Sequence, residues 1–298
     1  MDRRNAAEYG FLLLTSKLGN PERKPLTVAQ FRELFIRSEQ MKRKEFSRDV
    51  DVHDLVAIGY GYKMAGRIVE LLQDEALLQY YLEKGRKAHC IPITRGTDSY
   101  PLALRKRLGL DSPGVLWAKG DTAILETPAL ALVGSRELHD KNRIFAAEVG
   151  RQAALQGYTL VSGNARGADK TAQNACLQAG GKVISVVADS LESHKEKNNI
   201  LYLSEDGFDE GFSAQRALSR NRIIHGMAVK TFVAQSRHRA GGTWDGTVKN
   251  LHAGWSDVYC YADGSAAMMD LIQMGATPIS IDELTNLREL PSPVKSFL

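Results

Sequence analysis

The sequence predicts an α/β protein with a mostly parallel, doubly wound sheet and a small helical domain before it. Two observations support this fold class. From residue 129 onward, five short apolar runs alternate with helical segments, which is the pattern of right-handed β-α-β units. The first part of the chain, up to about residue 85, shows only the helical spacing of apolar side chains. The apolar runs lie at residues 129–133, 158–161, 183–188, 230–234 and 257–262.

Composition places the chain among globular proteins. Of its 298 residues, 43% are hydrophobic and 25% are charged, which is enough apolar material for a sizeable core. No apolar run approaches the roughly 18 residues that cross a membrane. The three cysteines, Cys90, Cys176 and Cys260, lie far apart and lack metal-site spacing. We therefore expect a cytoplasmic protein with no metal, no cofactor and no membrane partner.

The chain is expected to divide into three segments. These are a helical domain at residues 1–86, a sheet domain at residues 87–288 and a tail at residues 289–298. In the first segment, Thr27 and Gln30 have the spacing of a capping box and predict the start of a helix. The charged stretch at residues 43–51 is expected to be a connection between helices.

A second helical pair contains a glycine-rich connection. The apolar end at Leu55, the sequence Gly59-Tyr-Gly61 and the spacing of Ala65, Ile68 and Leu71 are typical of a helix-hairpin-helix. The glycines of such a hairpin can expose backbone N–H groups to a DNA phosphate. The same pattern is as typical of plain packing between two helices, so both interpretations stay open.

Short elements lead from the helices into the sheet. Residues 91–93 and 116–118 predict two short strands, separated by a turn at residues 98–101. Further on, residues 177–182 predict a helix that ends in glycine directly before the third apolar run.

Glycine-rich turns follow the first two apolar runs. Gly134, Ser135 and Arg136 follow the first run, and residues 162–169 follow the second. Because the carboxyl ends of parallel strands share one edge of a sheet, we expect these turns to lie together where ligands bind. Helix N-termini and the forked guanidinium groups of Arg136 and Arg166 suit phosphate oxygens. The sequence therefore predicts a site for a nucleotide or a nucleic-acid backbone.

The distribution of charged residues along the chain favours a nucleic-acid ligand more strongly than the net charge does. The net charge is only +4, from 39 Lys and Arg against 35 Asp and Glu. Residues 211–244, however, contain no Asp or Glu and six basic residues. Such a segment is an electrostatic footprint for phosphates, unless acidic residues from elsewhere in the fold balance it. The six are Arg216, Arg220, Arg222, Lys230, Arg237 and Arg239.

Five motifs occur in a fixed order along the chain. They are residues 98–105 (DSYPLALR), 113–121 (PGVLWAKGD), 131–136 (ALVGSR), 161–169 (VSGNARGAD) and 219–226 (SRNRIIHG). Their order resembles that of the DprA/Smf family of DNA-processing proteins, over roughly residues 55–262. One of these motifs alone would be a weak signal, whereas five in order make the resemblance specific.

The resemblance implies a Rossmann-like sheet domain that binds and protects single-stranded DNA and loads a RecA-like recombinase, in DNA uptake, recombination or defence. It also implies a small N-terminal helical domain and is compatible with a homodimer. Asp169 is expected to be a structural or orienting residue, and no residue is expected to be catalytic. The residues expected to contact DNA phosphates are Gly134, Ser135, Arg136, Ser162, Gly163, Asn164, Arg166, Gly167, Lys170, Arg220, Asn221, Arg222, Gly242 and Thr243.

The chain departs from the family pattern in several places. Ala168 stands where the family often has Ile, and Lys170-Thr-Ala-Gln replaces a histidine-rich helix start. Residues 189–209 lack the usual Tyr-Pro-x-x-Asn turn, and no C-terminal winged-helix-like domain is expected. These departures bear on partner contacts and on the role in competence more than on the fold.

Two of the expected arginine roles have alternatives. Arg136 could bind phosphate or pair structurally with Asp169, whose carboxylate is expected to cap free N–H groups at a helix start. In a helix, Arg220 and Arg222 would diverge by about 200°, so only one of them needs to reach the ligand. We expect that one to be Arg222.

A nucleotide-binding sensor or a nucleotide-processing enzyme in the same pocket is the alternative function. Residues 240–247 resemble a glycine-rich loop of the cytokinin-activating phosphoribohydrolases. In that loop a Glu follows the Gly-Thr pair, whereas here Val248, Lys249 and Asn250 follow it, and Asp245 precedes it. We therefore expect binding without catalysis.

Overall fold

The computed structural model describes residues 3–41 and 49–292, which divide into two compact units that alternate along the sequence. Within those ranges, the first unit comprises Met1–Tyr100, Leu110–Trp117 and Glu205–Glu210, and the second comprises Pro101–Gly109, Ala118–Ser204 and Gly211–Leu298. This division falls later than the expected boundary after residue 86. Most of the expected connection at residues 43–51 lies outside the described residues.

The first unit is mainly helical. Thr27 and Gln30 form the predicted capping box at the start of its second helix. Its core includes the buried side chains of Leu14, Leu34 and Leu55. The elements are α1 (Arg3–Thr15), α2 (Val28–Ser38), α3 (Val52–Ala57), α4 (Tyr62–Gln73), α5 (Glu75–Lys87) and β1 (Ile91–Thr94), and the division between the units falls within β2 (Val115–Lys119).

The expected hairpin joins α3 and α4. Leu55 and Ile68 on these helices are buried in the core of the unit, as helix packing requires. Arg37 of α2 donates hydrogen bonds to the hairpin carbonyls of Ile58 and Gly59. These contacts account for the hairpin as a structural element, and its contact with DNA stays a prediction.

The second unit contains a parallel sheet of seven strands, counted over the part of the chain that the structure describes. Its order is β6-β5-β4-β3-β7-β8-β9, and every neighbouring pair is parallel. The predicted α/β fold class is therefore confirmed. The strands are β3 (Ala129–Val133), β4 (Thr159–Ser162), β5 (Lys182–Val186), β6 (Ile200–Ser204), β7 (Lys230–Val233), β8 (Asp257–Tyr261) and β9 (Thr277–Ile279).

Five of these strands coincide with the predicted apolar runs, and two strands were not predicted. β6 is buried at every position and lies within residues 189–209, where no strand was predicted. β9 has only three residues, one of them a proline, which is too short for a pattern of its own. The helices of this unit are α6 (Leu102–Leu108), α7 (Asp140–Leu155), α8 (Ala168–Gln178), α9 (Ala214–Ser219), α10 (Asn221–Met227), α11 (Gly241–Ala253) and α12 (Ala266–Gln273).

The strand order reverses between β3 and β7. From β3 the chain proceeds outward through β4, β5 and β6, and it then returns to the other side of β3 and proceeds through β7, β8 and β9. In open parallel sheets the crevice at such a reversal, outside the carboxyl ends of the strands, is where ligands bind. The topology therefore points to one edge of the sheet for the site.

The described part of the expected tail is attached to the sheet, because Tyr259 of β8 donates a hydrogen bond to the carbonyl of Pro291 (2.9 Å).

Among the described residues, every helix is too short or too polar to cross a lipid bilayer.

Candidate functional site

A cleft of about 790 Å³ opens at the carboxyl ends of β3 and β7, where the strand order reverses. Its walls come from four stretches of the second unit: residues 133–139, 165–169, 212–225 and 235–243. The position is the one that the glycine-rich turns predict. Three of the predicted arginines, Arg136, Arg166 and Arg220, line it.

The loops that follow β3, β4 and β7 are joined by backbone hydrogen bonds. The N–H of Ser135 donates to the carbonyl of Gln235 (2.9 Å), and the N–H of Ala168 donates to the carbonyl of Ser135 (3.1 Å). Gly167 has a φ of +77°, and a Cβ at this position would overlap the carbonyl oxygens of Ser135 and Arg136. Glycine at this turn therefore allows the two loops to meet.

Gln235 ties the same loops together through its side chain. Its Oε1 accepts from the N–H of His139 (2.9 Å), and its Nε2 donates to the carbonyl of Glu137 (3.2 Å). Gln235 thus fixes the loop that carries Arg136 to the loop that carries Arg237. No motif or charge pattern in the sequence indicates this role, because it depends on a contact between distant segments.

Asp169 lies buried beneath the cleft. Its Oδ2 accepts hydrogen bonds from the backbone N–H groups of Gly163 and Ala165, each at 3.1 Å. Burial raises the pKa of the Asp169 carboxyl, and the charge of Arg220 and the two N–H donors oppose that rise. Asp169 therefore holds the glycine-rich loop in place, and the cleft arginine whose charge acts on it is Arg220 rather than Arg136.

Arg220 is the most unusual cation of the cleft. Its Nε and Nη1 are buried, and within the described residues they have no hydrogen-bond partner. Its guanidinium group packs directly on Gly163, where the Cβ of another residue would overlap it. Burial lowers the pKa of Arg220, while the charges of Asp169 and Asp189 raise it. Because an arginine stays protonated at neutral pH, a positive charge with unused donors lies at the cleft.

The structure places Arg220, not Arg222, at the cleft, which reverses the preference drawn from the sequence. Arg222 Nη1 donates to the carbonyl oxygen (2.7 Å) and to the Oγ (2.6 Å) of Ser219. The two side chains diverge because they lie two positions apart at the start of α10. The register of the helix against the sheet, which the sequence does not show, decides which one faces the ligand.

Only some of the basic residues in the acid-free segment, residues 211–244, face the cleft, and the others have structural contacts. Two of its six basic residues line the cleft, Arg220 and Arg237. Arg216 donates to the carbonyls of Ala188 (2.9 Å) and Gly211 (2.7 Å), so it fastens α9 to the sheet. The other three are engaged elsewhere: Arg222 with Ser219, Lys230 with Tyr259, and Arg239 with Asp270.

The predicted site residues divide into two groups. Nine line the cleft: Gly134, Ser135, Arg136, Arg166, Asp169, Arg220, Asn221, Gly242 and Thr243. The other six do not line it: Ser162, Gly163, Asn164, Gly167, Lys170 and Arg222. Ser162 is buried and accepts from Gln173 (2.6 Å), while Lys170 donates to Asn164.

The cleft has an apolar side that the sequence did not indicate. Phe212 and Leu218 line it, and they are 62% and 47% exposed. Ala214 and Ala217 complete this wall along α9. The start of α11 lies beside this wall, because a Cβ at Gly242 would be 3.5 Å from the side chain of Leu218. Ala240 provides no side-chain cap for the N–H groups of the first turn of α11. Apolar surface, arginines and a helix N-terminus therefore face one space.

Metal ligation was not expected from the sequence. Among residues 3–41 and 49–292, no group of three His, Cys, Asp or Glu side chains could hold a metal ion. The donors at the cleft are guanidinium and N–H groups, which bind anions and not cations.

Comparison with known proteins identifies relatives of this chain. Residues 92–288 match the family model described as DNA recombination-mediator protein A. The DNA processing protein DprA of Streptococcus pneumoniae is 34% identical over 154 residues, 48% of this chain and 54% of the relative. Protein Smf of Escherichia coli is 31% identical over 164 residues, 51% of this chain and 43% of the relative. The chain thus spans about half the length of the curated relatives it matches.

Solved structures support the same fold. The X-ray structure of DprA from Streptococcus pneumoniae superposes with a TM-score of 0.71 at 24% identity, covering 95% of this chain and 97% of that one. DprA from Helicobacter pylori superposes with a TM-score of 0.57 at 23% identity, covering 67% of this chain and 96% of that one. The family model extends over well more than half of the sequence and over all seven strands that position the cleft. The chain therefore belongs to the DNA recombination-mediator protein A family.

Proposed function

We propose that the cleft binds the phosphate backbone of single-stranded DNA and that the protein is a recombination mediator. One observation carries the proposal: the guanidinium of Arg220 is largely buried, positively charged and supplied with two hydrogen-bond donors that no described residue satisfies. Membership of this family favours DNA binding over the alternative function, a nucleotide-binding sensor or nucleotide-processing enzyme that uses the same pocket.

Burying the charged guanidinium of Arg220 is energetically unfavourable unless an anion binds to it, which favours an anionic ligand. A buried guanidinium needs a counter-charge and hydrogen-bond acceptors, and unsatisfied buried donors in native proteins often mark an ion or ligand site. Asp169 contributes negative charge, but its Oδ2 already accepts two backbone N–H groups. A phosphate would supply the acceptors that Arg220 lacks, at the charge-assisted strength of such bonds.

The combination of positive and apolar surface in the cleft favours a single strand over a duplex. Single-stranded DNA presents its phosphates and the faces of its bases together, and proteins bind it through positive grooves combined with apolar or aromatic platforms. Here Arg136, Arg166 and Arg237 line the same space as the exposed Phe212 and Leu218. The relative from Helicobacter pylori is described as having a unique single-stranded DNA binding mode, which supports the same ligand for this chain.

A recombinase and a second copy of the chain are the proposed protein partners. As a mediator, the protein would load a RecA-like recombinase onto the strand it holds. Light scattering of the purified protein measures self-association. Recombinase filament assembly on DNA coated with single-strand-binding protein, with and without this chain, measures loading.

The binding proposal is tested by fluorescence anisotropy with a labelled single strand and its duplex at several salt concentrations. We expect the single strand to bind more tightly, with a log–log salt slope of about −0.7 for each phosphate contacted. Arg220→Lys, which keeps the charge but loses the fork, should weaken binding by about 1.5–3 kcal/mol. Arg222→Lys is the matched control outside the cleft and should bind as the wild type does. Absence of binding at low salt would refute the proposal.

A further inference from the structure

A buried polar network ends at the cleft on His225. This residue is 1% exposed, yet it lines the cleft. Its Nδ1 lies 3.2 Å from Nδ2 of Asn250 and 3.3 Å from Oγ1 of Thr231, and both of these residues are also buried. Thr231 Oγ1 lies 2.7 Å from the hydroxyl of Ser256, which continues the network away from the cleft.

The network determines which nitrogen of His225 carries the proton. The backbone N–H of Ser256 donates to Oδ1 of Asn250 (3.0 Å), so the amide NH₂ of Asn250 faces His225. Because an NH₂ group can only donate, Nδ1 of His225 accepts. Burial lowers the pKa of His225 to about 3, which keeps the ring neutral at physiological pH. The single proton of a neutral ring that accepts at Nδ1 lies on Nε2.

The Nε2–H group is available to a ligand. Within the described residues it has no hydrogen-bond partner, and the residue of α11 that faces it is Gly246, where a Cβ would lie 3.2 Å from Nε2. Glycine leaves this nitrogen uncovered by a side chain. Asn221, one turn earlier on α10, lines the cleft beside it. The cleft therefore offers a neutral donor in addition to its arginines.

A neutral donor suits a neutral acceptor. A phosphate next to the ring would favour the imidazolium form, whereas the neighbours of His225, namely Thr231, Asn250 and Asn221, are uncharged. In single-stranded DNA the neutral acceptors are the carbonyl oxygens and ring nitrogens of the bases and the ring oxygen of the sugar. Each of the four bases carries at least one such acceptor, adenine through its ring nitrogens, so most of these acceptors lie on the bases.

We propose that His225 donates a hydrogen bond from Nε2–H to an uncharged acceptor atom of a nucleobase of the bound strand. The proposal rests on the proposed function, because it requires a single strand in the cleft. The arginines hold the phosphates, and His225 contacts a base. His225 is thus a base-binding residue and not a general anion contact.

The test compares two variants on two strands of equal length, oligo(dT) and an abasic strand. His225→Met removes the donor at similar size, and His225→Gln keeps an N–H donor. One neutral hydrogen bond corresponds to roughly a fivefold change in Kd. We expect His225→Met to weaken oligo(dT) binding by about that factor and abasic-strand binding by less than about twofold, and His225→Gln to restore oligo(dT) binding. Comparing each variant with wild type on the same strand cancels the difference in affinity between the two strands.

Nitrogen-15 NMR of the histidine rings gives a second measurement on the unchanged protein. Oligo(dT) should shift the Nε2 resonance of His225 more than its Nδ1 resonance, and the abasic strand should shift neither strongly. No loss on oligo(dT) or an unchanged Nε2 signal would overturn the proposal. Equal losses on both strands would assign Nε2 to the sugar–phosphate backbone and also overturn it. If wild type does not bind oligo(dT), the proposed function fails as well, so the wild-type titration distinguishes the two failures.

Discussion

The guanidinium group of Arg220 occupies the space that a side chain at Gly163 would need. The glycine belongs to the turn after β4 and the arginine to the start of α10, 57 positions later along the numbering. The N–H of the same glycine donates to Asp169, whose charge acts on Arg220. One glycine therefore brings together the loop, the buried acid and the cleft arginine.

Gly163→Ala should weaken DNA binding about as much as changing Arg220 does. The added Cβ would overlap Nη1, Nη2 and Cζ of Arg220, so the guanidinium must move. Overpacking of this kind costs about 1–3 kcal/mol. Titrations of wild type, Gly163→Ala, Arg220→Lys and the double variant form the measurement, and we expect non-additive losses because the two residues act together. Full additivity would show that the glycine acts independently of the arginine.

The features that could be predicted from the sequence are those set by residues close to one another along the chain. The capping box at Thr27 and the five apolar runs depend on residues close in sequence, and the structure has them. The glycine-rich turns after β3 and β4 also meet at the expected edge, because parallel topology alone places them there. The fold and the location of the cleft could therefore be predicted.

Contacts between distant segments account for what the sequence did not predict. The choice of Arg220 over Arg222 depends on how α10 lies against Gly163, and the role of Gln235 depends on a loop about 100 residues away. β6 is buried along its whole length in the same way as β3, β4 and β7, so its short apolar run could have been recognised from the sequence. The choice of arginine and the role of Gln235 arise from tertiary packing, which periodicity and spacing do not encode.

Arg136→Ala and Arg166→Ala should each weaken DNA binding by about 1.5–3 kcal/mol, the scale of a charge-assisted hydrogen bond, without unfolding the protein. Both side chains line the cleft. Anisotropy gives the affinity, and a thermal melt gives the stability of each variant. Arg151→Ala is the matched control, because Arg151 pairs with Glu148 on α7 and lies outside the cleft. Loss of the thermal transition in a cleft variant would mean that its arginine is structural.

Buried His225 should make the protein lose stability as the pH falls. Burial holds its pKa at about 3 in the folded state, against about 6.5 in the unfolded chain. Below pH 6.5 the unfolded state therefore binds a proton that the folded state does not bind. The stability is fully present above pH 6.5 and is lost progressively as the pH falls toward 3, by about 2 kcal/mol at pH 5.

Urea unfolding at pH 7.5 and at pH 5 measures this loss. His225→Gln has no titrating ring, so its stability should fall by about 2 kcal/mol less than that of wild type over the same interval. Comparing the two proteins removes the contribution of the carboxylates, which they share. Parallel losses in both proteins would show that burial does not lower the pKa of His225 in the folded state.

The last prediction is that the cleft binds nucleotides or DNA without turning them over. Acid–base cleavage needs a carboxylate or histidine that exchanges protons near neutral pH. Asp169 is engaged with two backbone N–H groups, His225 is held neutral with its pKa far below 7, and Asp245 pairs with Lys249 outside the cleft.

Glu137 and His139 are the remaining carboxylate and histidine that line the cleft among the described residues, and the measurement is designed around them. Purified protein is incubated with nucleoside monophosphates, ATP, NAD and a labelled single strand, and released base, phosphate or shortened DNA is quantified. We expect no product above the rate of the uncatalysed reaction. Turnover that disappears in Glu137→Gln, His139→Gln or Asp169→Asn, and persists in Asp245→Asn, would contradict the binding-only function. It would also identify the group responsible, because Asp245 differs from the other three in lying outside the cleft.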